Sequence, residues 1–318
     1  MSFPDQSRSP DRRVVAGHAA LAAVQVFFGV FPVIGTLAFA PGGLSPLAVG
    51  AWRIVVGSLA IGGLAFTRFG RRAWPARTDL PLFFAAAMLG VAVNQGLFLV
   101  GLSRSTPMNA GLVMTLIPVF TFGIATVVRQ ERFSALRAVG VAVALAGSLP
   151  LLFSGGIGSL GAYGLGNLLM VANALCYSGY LVLSKVLTRR YPVIVIAAWA
   201  YICSLVAVPV FAAGQRLLPE PSATAAWWSL AYILVVPTVI AYLLNMFALA
   251  RVRASTVAVY VYAQPIIAGL TSWIAFGERP TPSMVLAASG LFVGIWLVGR
   301  RPPPVHVLAE PGGPTGPA

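Results

Sequence analysis

The chain has 318 residues, of which 58% are hydrophobic and only 9% charged. A water-soluble domain carries roughly 25% charged residues, so a soluble globule is excluded and lipid is the expected solvent. The formal net charge of +14 does not indicate a nucleic-acid binder, because the arginines sit in small groups between long apolar runs rather than along one element.

A membrane-crossing helix needs about 20 mostly apolar residues. Ten candidate spans follow one another, at about 15–37, 47–67, 81–101, 107–128, 135–153, 163–186, 193–213, 227–248, 254–276 and 283–299. Short breaks such as Pro41-Gly42-Gly43, Arg71-Arg72, Gly155-Gly156 and Pro219-Glu220-Pro221 separate them. The first span follows Arg12 and Arg13 and ends at Ala38-Phe39-Ala40. Its apolar run exceeds the ~7–15 residues of a signal peptide, and Pro41 would hinder cleavage. It is read as a retained span. Residues 1–13 and 300–318 are polar or Pro/Gly-rich and are expected to be disordered.

With the N-terminus placed in the cytoplasm, seventeen of the 21 Lys and Arg residues fall on the cytoplasmic side. Three, Arg104, Arg216 and Arg279, fall outside, and Arg53 lies within a span. This bias predicts an even number of spans in a cell membrane, inner or plasma, with both termini cytoplasmic.

The two halves repeat. Pro118 and Pro265 are each followed thirteen residues later by Glu-Arg, at Glu131-Arg132 and Glu278-Arg279, with an offset of 147. Arg104 with Arg251 and Gly147 with Gly294 keep that offset, while Gly17, Phe28 and Gly35 face Gly166, Tyr177 and Ser184 at 149. The expected fold is an all-α polytopic membrane protein whose ten helices form two inverted five-helix repeats, 14–153 and 163–299, around a central cavity.

The stretches Asn109 to Leu152 and Thr256 to Val298 carry this unit of mid-span proline, Glu-Arg at the helix end and a Gly/Ala-rich last helix. Both resemble the EamA family of the drug/metabolite transporter superfamily, as does Arg53 in Ala51-Trp52-Arg53. The resemblance covers roughly 14–299. It implies ten helices around a cavity and the movement of small metabolites. The first copy departs from the family pattern with Arg129-Gln130 before Glu131, where a Gly-Glu step is usual.

Polar side chains inside lipid are costly, so they face a cavity or another helix. Thr256, Tyr260 and Gln264 form one stripe on the ninth span. Tyr242 and Asn245 share a face of the eighth, matched by Gln95 and Phe98 in the third, with Asn94 beside them. Asn173 and Tyr177 share a face of the sixth, and Phe28 with Gln25 lies at the matching part of the first. These residues are candidates for the substrate cavity; for each amide the alternative is a helix-to-helix hydrogen bond. Pro118 and Pro265 free the carbonyls of Met114 and Val261, as hinges or cavity lining, or as kinks that serve packing. Arg53 either snorkels to the outer interface, binds a carboxylate or caps carbonyls. Glu131 and Glu278 are helix-end ion pairs with the following arginines, or gates or proton sites.

No Asp or Glu lies in a span interior, so classical proton coupling is disfavoured. Cys176 and Cys203 read as small buried hydrophobes. No Cys/His cluster, catalytic spacing or Walker motif occurs, so neither metal nor cofactor is expected. The expectation is a secondary transporter of a small, amino acid-like or other polar or amphipathic compound, with export favoured on family grounds and no enzyme activity. Its partners would be the substrate and the lipid bilayer, without nucleic acid, as a monomer or homodimer. A receptor or scaffold, or a membrane-embedded enzyme, is the alternative.

Overall fold

A computed structural model describes residues 12–130, 135–152, 163–249, 260 and 263–299. The secondary structure of the described residues is helical, joined by turns and short loops, with no strand among them. In chain order the helices are α1 (Arg12–Ala38), α2 (Pro46–Ala73), α3 (Arg77–Leu102) and α4 (Pro107–Val127). Then come α5 (Ala135–Leu152), α6 (Gly164–Leu187) and α7 (Val193–Ala212). The helix α8 runs through Thr224–Val235, Val236–Ile240 and Ala241–Leu249, and α9 (Gln264–Phe276) and α10 (Pro282–Gly299) follow. Seven of them, α1 to α4 and α6 to α8, contain stretches long and apolar enough to cross a membrane. The first helix already includes Arg12 and Arg13. Glu131, Thr256, residues 1–11 and residues 300–318 lie outside the described residues.

Local chemistry starts and stops these helices. Ser45 and Thr106 cap α2 and α4, each accepting a hydrogen bond from the backbone N–H three residues on, with proline next in sequence at Pro46 and Pro107. The α9 helix ends at Gly277, whose φ of +67° is the left-handed conformation that a glycine cap adopts without penalty.

Several of the larger helix contacts recur when each helix is exchanged for the one five places along. The contact of α1 with α8 is mirrored by α6 with α3, that of α1 with α9 by α6 with α4, and that of α2 with α8 by α7 with α3. Three pairs, α2 with α7, α4 with α9 and α5 with α10, map onto themselves. A two-repeat architecture therefore shows in the contacts as well as in the sequence. The repeat extends to a backbone irregularity. Wide π turns interrupt α3 at Met88–Ala92 and α8 at Val236–Ile240, and another lies in α2 at Ser58–Gly62. In α8 the cause is plain. Pro237 has no N–H for the carbonyl of Ile233, and Thr238 Oγ1 donates to that carbonyl instead at 2.7 Å.

The two ends of the bundle differ. At one, which we call the Glu220 end, the Glu220 N–H donates to the Gly42 carbonyl at 2.8 Å. Trp52 Nε1 donates to the Leu217 carbonyl there at 2.6 Å. At the other, the Asp79 end, Tyr191 donates to Asp79 at 2.6 Å and accepts from the Ala76 N–H at 2.9 Å. Arg190 pairs with the same carboxylate at 3.0 Å. Burial, together with the hydrogen bond it gives Asp79, pushes the Tyr191 phenol above its ordinary range.

Toward the Glu220 end one continuous core joins α1, α2, α3, α4, α6 and α8 through Phe31, Val49, Phe98, Leu116, Met170 and Ile233 among others. Toward the Asp79 end the core divides. One cluster holds α2, α3 and α7 with Leu187 of α6, and a separate one holds Ala20 and Leu21 of α1 with Ala248 of α8.

Close approach depends on small residues. A Cβ on Gly166 would lie 2.4 Å from the Arg104 carbonyl oxygen and 2.7 Å from that of Gly101, whereas one on Gly123 meets nothing within 4 Å. Backbone cannot give way as a side-chain tip can. Gly166→Ala is expected to destabilise the protein by about 1–3 kcal/mol, read as a lower unfolding midpoint in detergent. Gly123→Ala is expected to leave the midpoint unchanged or raise it slightly through helix propensity. Equal midpoints for the two variants would contradict the packing described.

Candidate functional site

The most unusual side chain in the bundle is Arg53. The outer-interface position open to it in the sequence is not what the structure shows. It is 7% exposed and turned into the bundle, because α2 presents its buried face there to α7 and α8. Its Nε donates to Thr238 Oγ1 at 3.1 Å. Its guanidinium carbon stands 4.7 Å from the centre of the Phe31 ring, within cation–π range. Phe31 in turn stacks on Phe98, with centroids 5.4 Å apart. The Tyr201 side chain interacts with both Arg53 and Gln95. No carboxylate faces Arg53 among the described residues.

The π turns and glycines of the neighbouring helices shape this region. Thr238, the partner of Arg53, lies within the π turn of α8. Gly90, in the matching turn of α3, leaves room for the Tyr180 ring, and Gly57 leaves room for Tyr201; a Cβ at either glycine would come within 2.4 Å of the ring. Tyr177 and Tyr180 have centroids 5.7 Å apart. Tyr242 lies within electrostatic range of Tyr177, Tyr180 and Tyr201. All four tyrosines keep some accessible surface although they lie inside the bundle. Tyr242 also donates to the Val193 carbonyl of α7 at 3.4 Å, a long contact.

Two polar acceptors here lack a partner. Gln95 is 5% exposed, and its Oε1 is buried without a hydrogen bond, as is Oδ1 of Asn245. An unpaired buried acceptor costs roughly 1–3 kcal/mol. Such atoms are candidates for a ligand's donor.

Other predicted cavity residues spend their polar groups on helix contacts. Asn173 Nδ2 donates to the Asn94 carbonyl at 2.8 Å, and Asn94 Nδ2 to the Asn173 carbonyl at 3.2 Å, joining α6 to α3. Gln264 Nε2 donates to Gln25 Oε1 at 2.7 Å, joining α9 to α1. Tyr260 pairs with Nδ1 of His18 at 2.9 Å. Phe28 is partly buried on α1. Thr256 is outside the described residues.

The prolines and acids also have definite places. The α4 helix tightens at Thr115, whose N–H donates to Leu112 rather than one residue further back, three residues before Pro118. Pro265 lies in the first turn of α9, against Gly111 of α4. Upstream of Ala263 only Tyr260 of that span is described. Glu278 does not pair with Arg279. The left-handed Gly277 turns the chain back, and Ser272 of α9 donates to Glu278 Oε2 while Arg279 is exposed. Glu131 lies outside the described residues, so its pairing with Arg132 is not addressed.

Two shallow grooves lie elsewhere. One of about 270 Å³ is lined by Val119, Phe120 and Val127. Another of about 320 Å³ lies between α4, α9 and α10 beside Leu112, Pro265 and Trp273. Both are apolar and open outward, and neither touches Arg53. Among the described residues no group of three His, Cys, Asp or Glu side chains converges as metal ligands would.

Sequence reasoning missed Tyr180, Tyr201, Thr238 and Phe31. The halves were compared at offsets of 147 and 149, and an offset of 148 pairs Arg53 with Tyr201.

Apolar helices long enough to span lipid, packed as two exchangeable five-helix sets, define an integral membrane protein of the two-repeat transporter type. Residues 15–153 and 164–300 each match the sequence model of the EamA-like transporter family, and the chain belongs to that family. It is 26% identical over 239 residues to the uncharacterized transporter YdfC of Bacillus subtilis, covering 75% of this chain and 77% of that one. It is also 26% identical, over 253 residues, to a probable terminal-alkyne amino-acid exporter of Streptantibioticus cattleyicolor, covering 78% and 82%. Identity to the protein WALLS ARE THIN 1 of Arabidopsis thaliana is 24% over 321 residues, covering 88% and 82%. A protein of known crystal structure, 19% identical, superposes with a TM-score of 0.62 over 92% of this chain and 97% of its own. That likeness shows the fold.

The Asn94–Asn173 exchange yields a direct test of its weight. Asn173→Leu removes one of the two hydrogen bonds and is expected to cost about 0.6–1.7 kcal/mol, measured by thermal unfolding in detergent. An unchanged midpoint would mean that the pair does not hold α3 to α6.

Proposed function

We propose that this protein is a secondary transporter that carries a small metabolite across a cell membrane by alternating access. In this reading all ten helices cross. Residues 14–153 and 163–299 are its two repeats, inserted in opposite senses because five is odd. The residues before α1 and residues 300–318 are disordered cytoplasmic tails, and the chain is not an enzyme.

One observation carries the reading. The core is continuous toward the Glu220 end and divided toward the Asp79 end. In a bundle whose larger contacts recur on exchange of the halves, sealing one end and parting the other gives a state with a mirror image. Rocking between the two exposes a central site to each side in turn. The arginine distribution supports assigning the Asp79 end to the cytoplasm. That end gathers Arg71, Arg72, Arg77, Arg189 and Arg190, whereas Arg104 and Arg216 belong to loops of the other. The state described is then open toward the cytoplasm. A probable terminal-alkyne amino-acid exporter among the relatives supports outward movement of an amino acid-like or other small polar compound.

Flux of a labelled metabolite panel in proteoliposomes, with and without a pH gradient, tests the reading. Saturable flux of at least one compound is expected, and none from well-folded protein would leave a receptor or scaffold. Accessibility tests the orientation. With Cys176 and Cys203 replaced, Tyr242→Cys and Asn245→Cys should react with a membrane-impermeant maleimide in inside-out vesicles. Phe98→Cys, in the closed core, should not. Labelling only in right-side-out vesicles would reverse the assignment of the ends.

A further inference from the structure

We propose that Arg53 and Gln95 form the two poles of a zwitterion subsite. Arg53 holds the substrate's carboxylate, and Gln95 Oε1 accepts from its protonated amine. This rests on the transporter reading above and specifies the chemistry of its substrate.

Two independent observations on buried groups point to it. Arg53 is a cation in an apolar bundle whose described partners are a hydroxyl, a phenol and the face of a phenyl ring. None of them carries a formal negative charge. A buried ion without its counter-charge is expensive, by several kcal/mol, and arginine does not escape the cost by losing its proton. With Nε on Thr238, the terminal nitrogens form the fork that matches a carboxylate's two oxygens. Gln95 is the complementary defect, a buried acceptor without a donor. The two are neighbours, because both meet the Tyr201 side chain. Arg53 also stands over Phe31, which stacks on Phe98, one helical turn from Gln95 on α3. A ligand with an anion and an ammonium on adjacent atoms satisfies both at once. A plain acid leaves Gln95 orphaned, and a plain amine leaves Arg53 unpaired and adds like-charge repulsion.

The rest of the ligand would meet Tyr177, Tyr180 and Tyr242. Their rings lie around Tyr201 and keep accessible surface, so they suit an apolar or aromatic side chain. Thr238 lies in the π turn of α8 and Gly90 in that of α3, so both repeats bring an irregular turn to this place.

Binding to the purified full-length protein tests the proposal with two side-chain-matched triads. One is leucine, isoamylamine and 4-methylvalerate; the other is phenylalanine, phenethylamine and 3-phenylpropionate. In at least one triad the zwitterion is expected to bind about tenfold or more tighter than either partner, since each lost charge-assisted bond is worth about that factor. Gln95→Leu should bring the zwitterion down to the affinity of the matching acid while leaving the acid unchanged. Arg53→Gln should abolish zwitterion binding. Where Arg53→Gln does not fold, Gln95→Glu decides: it sets a carboxylate beside Arg53, so the unfolding midpoint should rise and zwitterion binding should be lost. The proposal is overturned if no zwitterion binds, if acid or amine binds as tightly, or if Gln95→Leu leaves the ratio unchanged. Flux only of compounds without a carboxylate, uncharged or cationic, would overturn it while leaving the transporter reading intact.

Discussion

Lipid removes the driving force that folds most proteins, because an apolar side chain gains nothing from leaving hydrocarbon for another helix. What remains is close contact and polar groups that have no water to bond. Helices here approach through residues such as Gly166, which fits between the carbonyls of Arg104 and Gly101. They are tied by side chains that reach a neighbouring backbone, as Ser178 does to the Ile117 carbonyl at 2.9 Å. Each half leaves an inner face that only the other half covers. The seam consists of the pairs that map onto themselves, α2 with α7, α4 with α9 and α5 with α10, together with mirrored pairs such as α1 with α8 and α6 with α3.

The same crossings show how one architecture tolerates two sequences. Ser178 on α6 meets Ile117 of α4, and at the equivalent crossing Gly29 on α1 meets Ile267 of α9. A hydrogen bond in one half stands where bare contact suffices in the other. Near Arg53 the departure from symmetry carries chemistry. Phe31 lies under the guanidinium on α1, and its counterpart on α6 is Tyr180, packed on Gly90. A cation is placed on one side of the seam only, so a ligand bound there meets unequal walls. The scaffold exchanges its halves, and the site we propose does not.

The wide turns join these two levels. In α8 the turn arises from Pro237, a purely local cause, and it sets Thr238 between the Ile233 carbonyl and Arg53. A proline that looks like a defect of the helix thus fixes the one hydrogen bond recorded for Arg53 Nε. The prolines conspicuous in the sequence have other consequences. Pro118 follows the tightened turn at Thr115, and Pro265 lies against Gly111 where α4 crosses α9.

Apolar run length, arginine alternation and the repeated Pro…Glu-Arg spacing were by themselves enough to determine that this is a helical membrane protein of two related halves, and the resemblance of Asn109–Leu152 and Thr256–Val298 pointed to the EamA family that the family match then showed. Those signals are local or periodic, and a single chain displays them. Which polar residues meet was not legible in the same way. Asn94, Asn173, Gln25 and Gln264 stood on the predicted faces, yet their amides bond other helices. Glu278 preceded an arginine, yet it turned back to Ser272. Arg53 was visible as a cation within a span, but its environment was not. Phe31, Tyr201 and Thr238 come from three different helices, and no periodicity along one helix reports on its neighbours. Only the packing of the halves decided which buried charges and acceptors were left without partners.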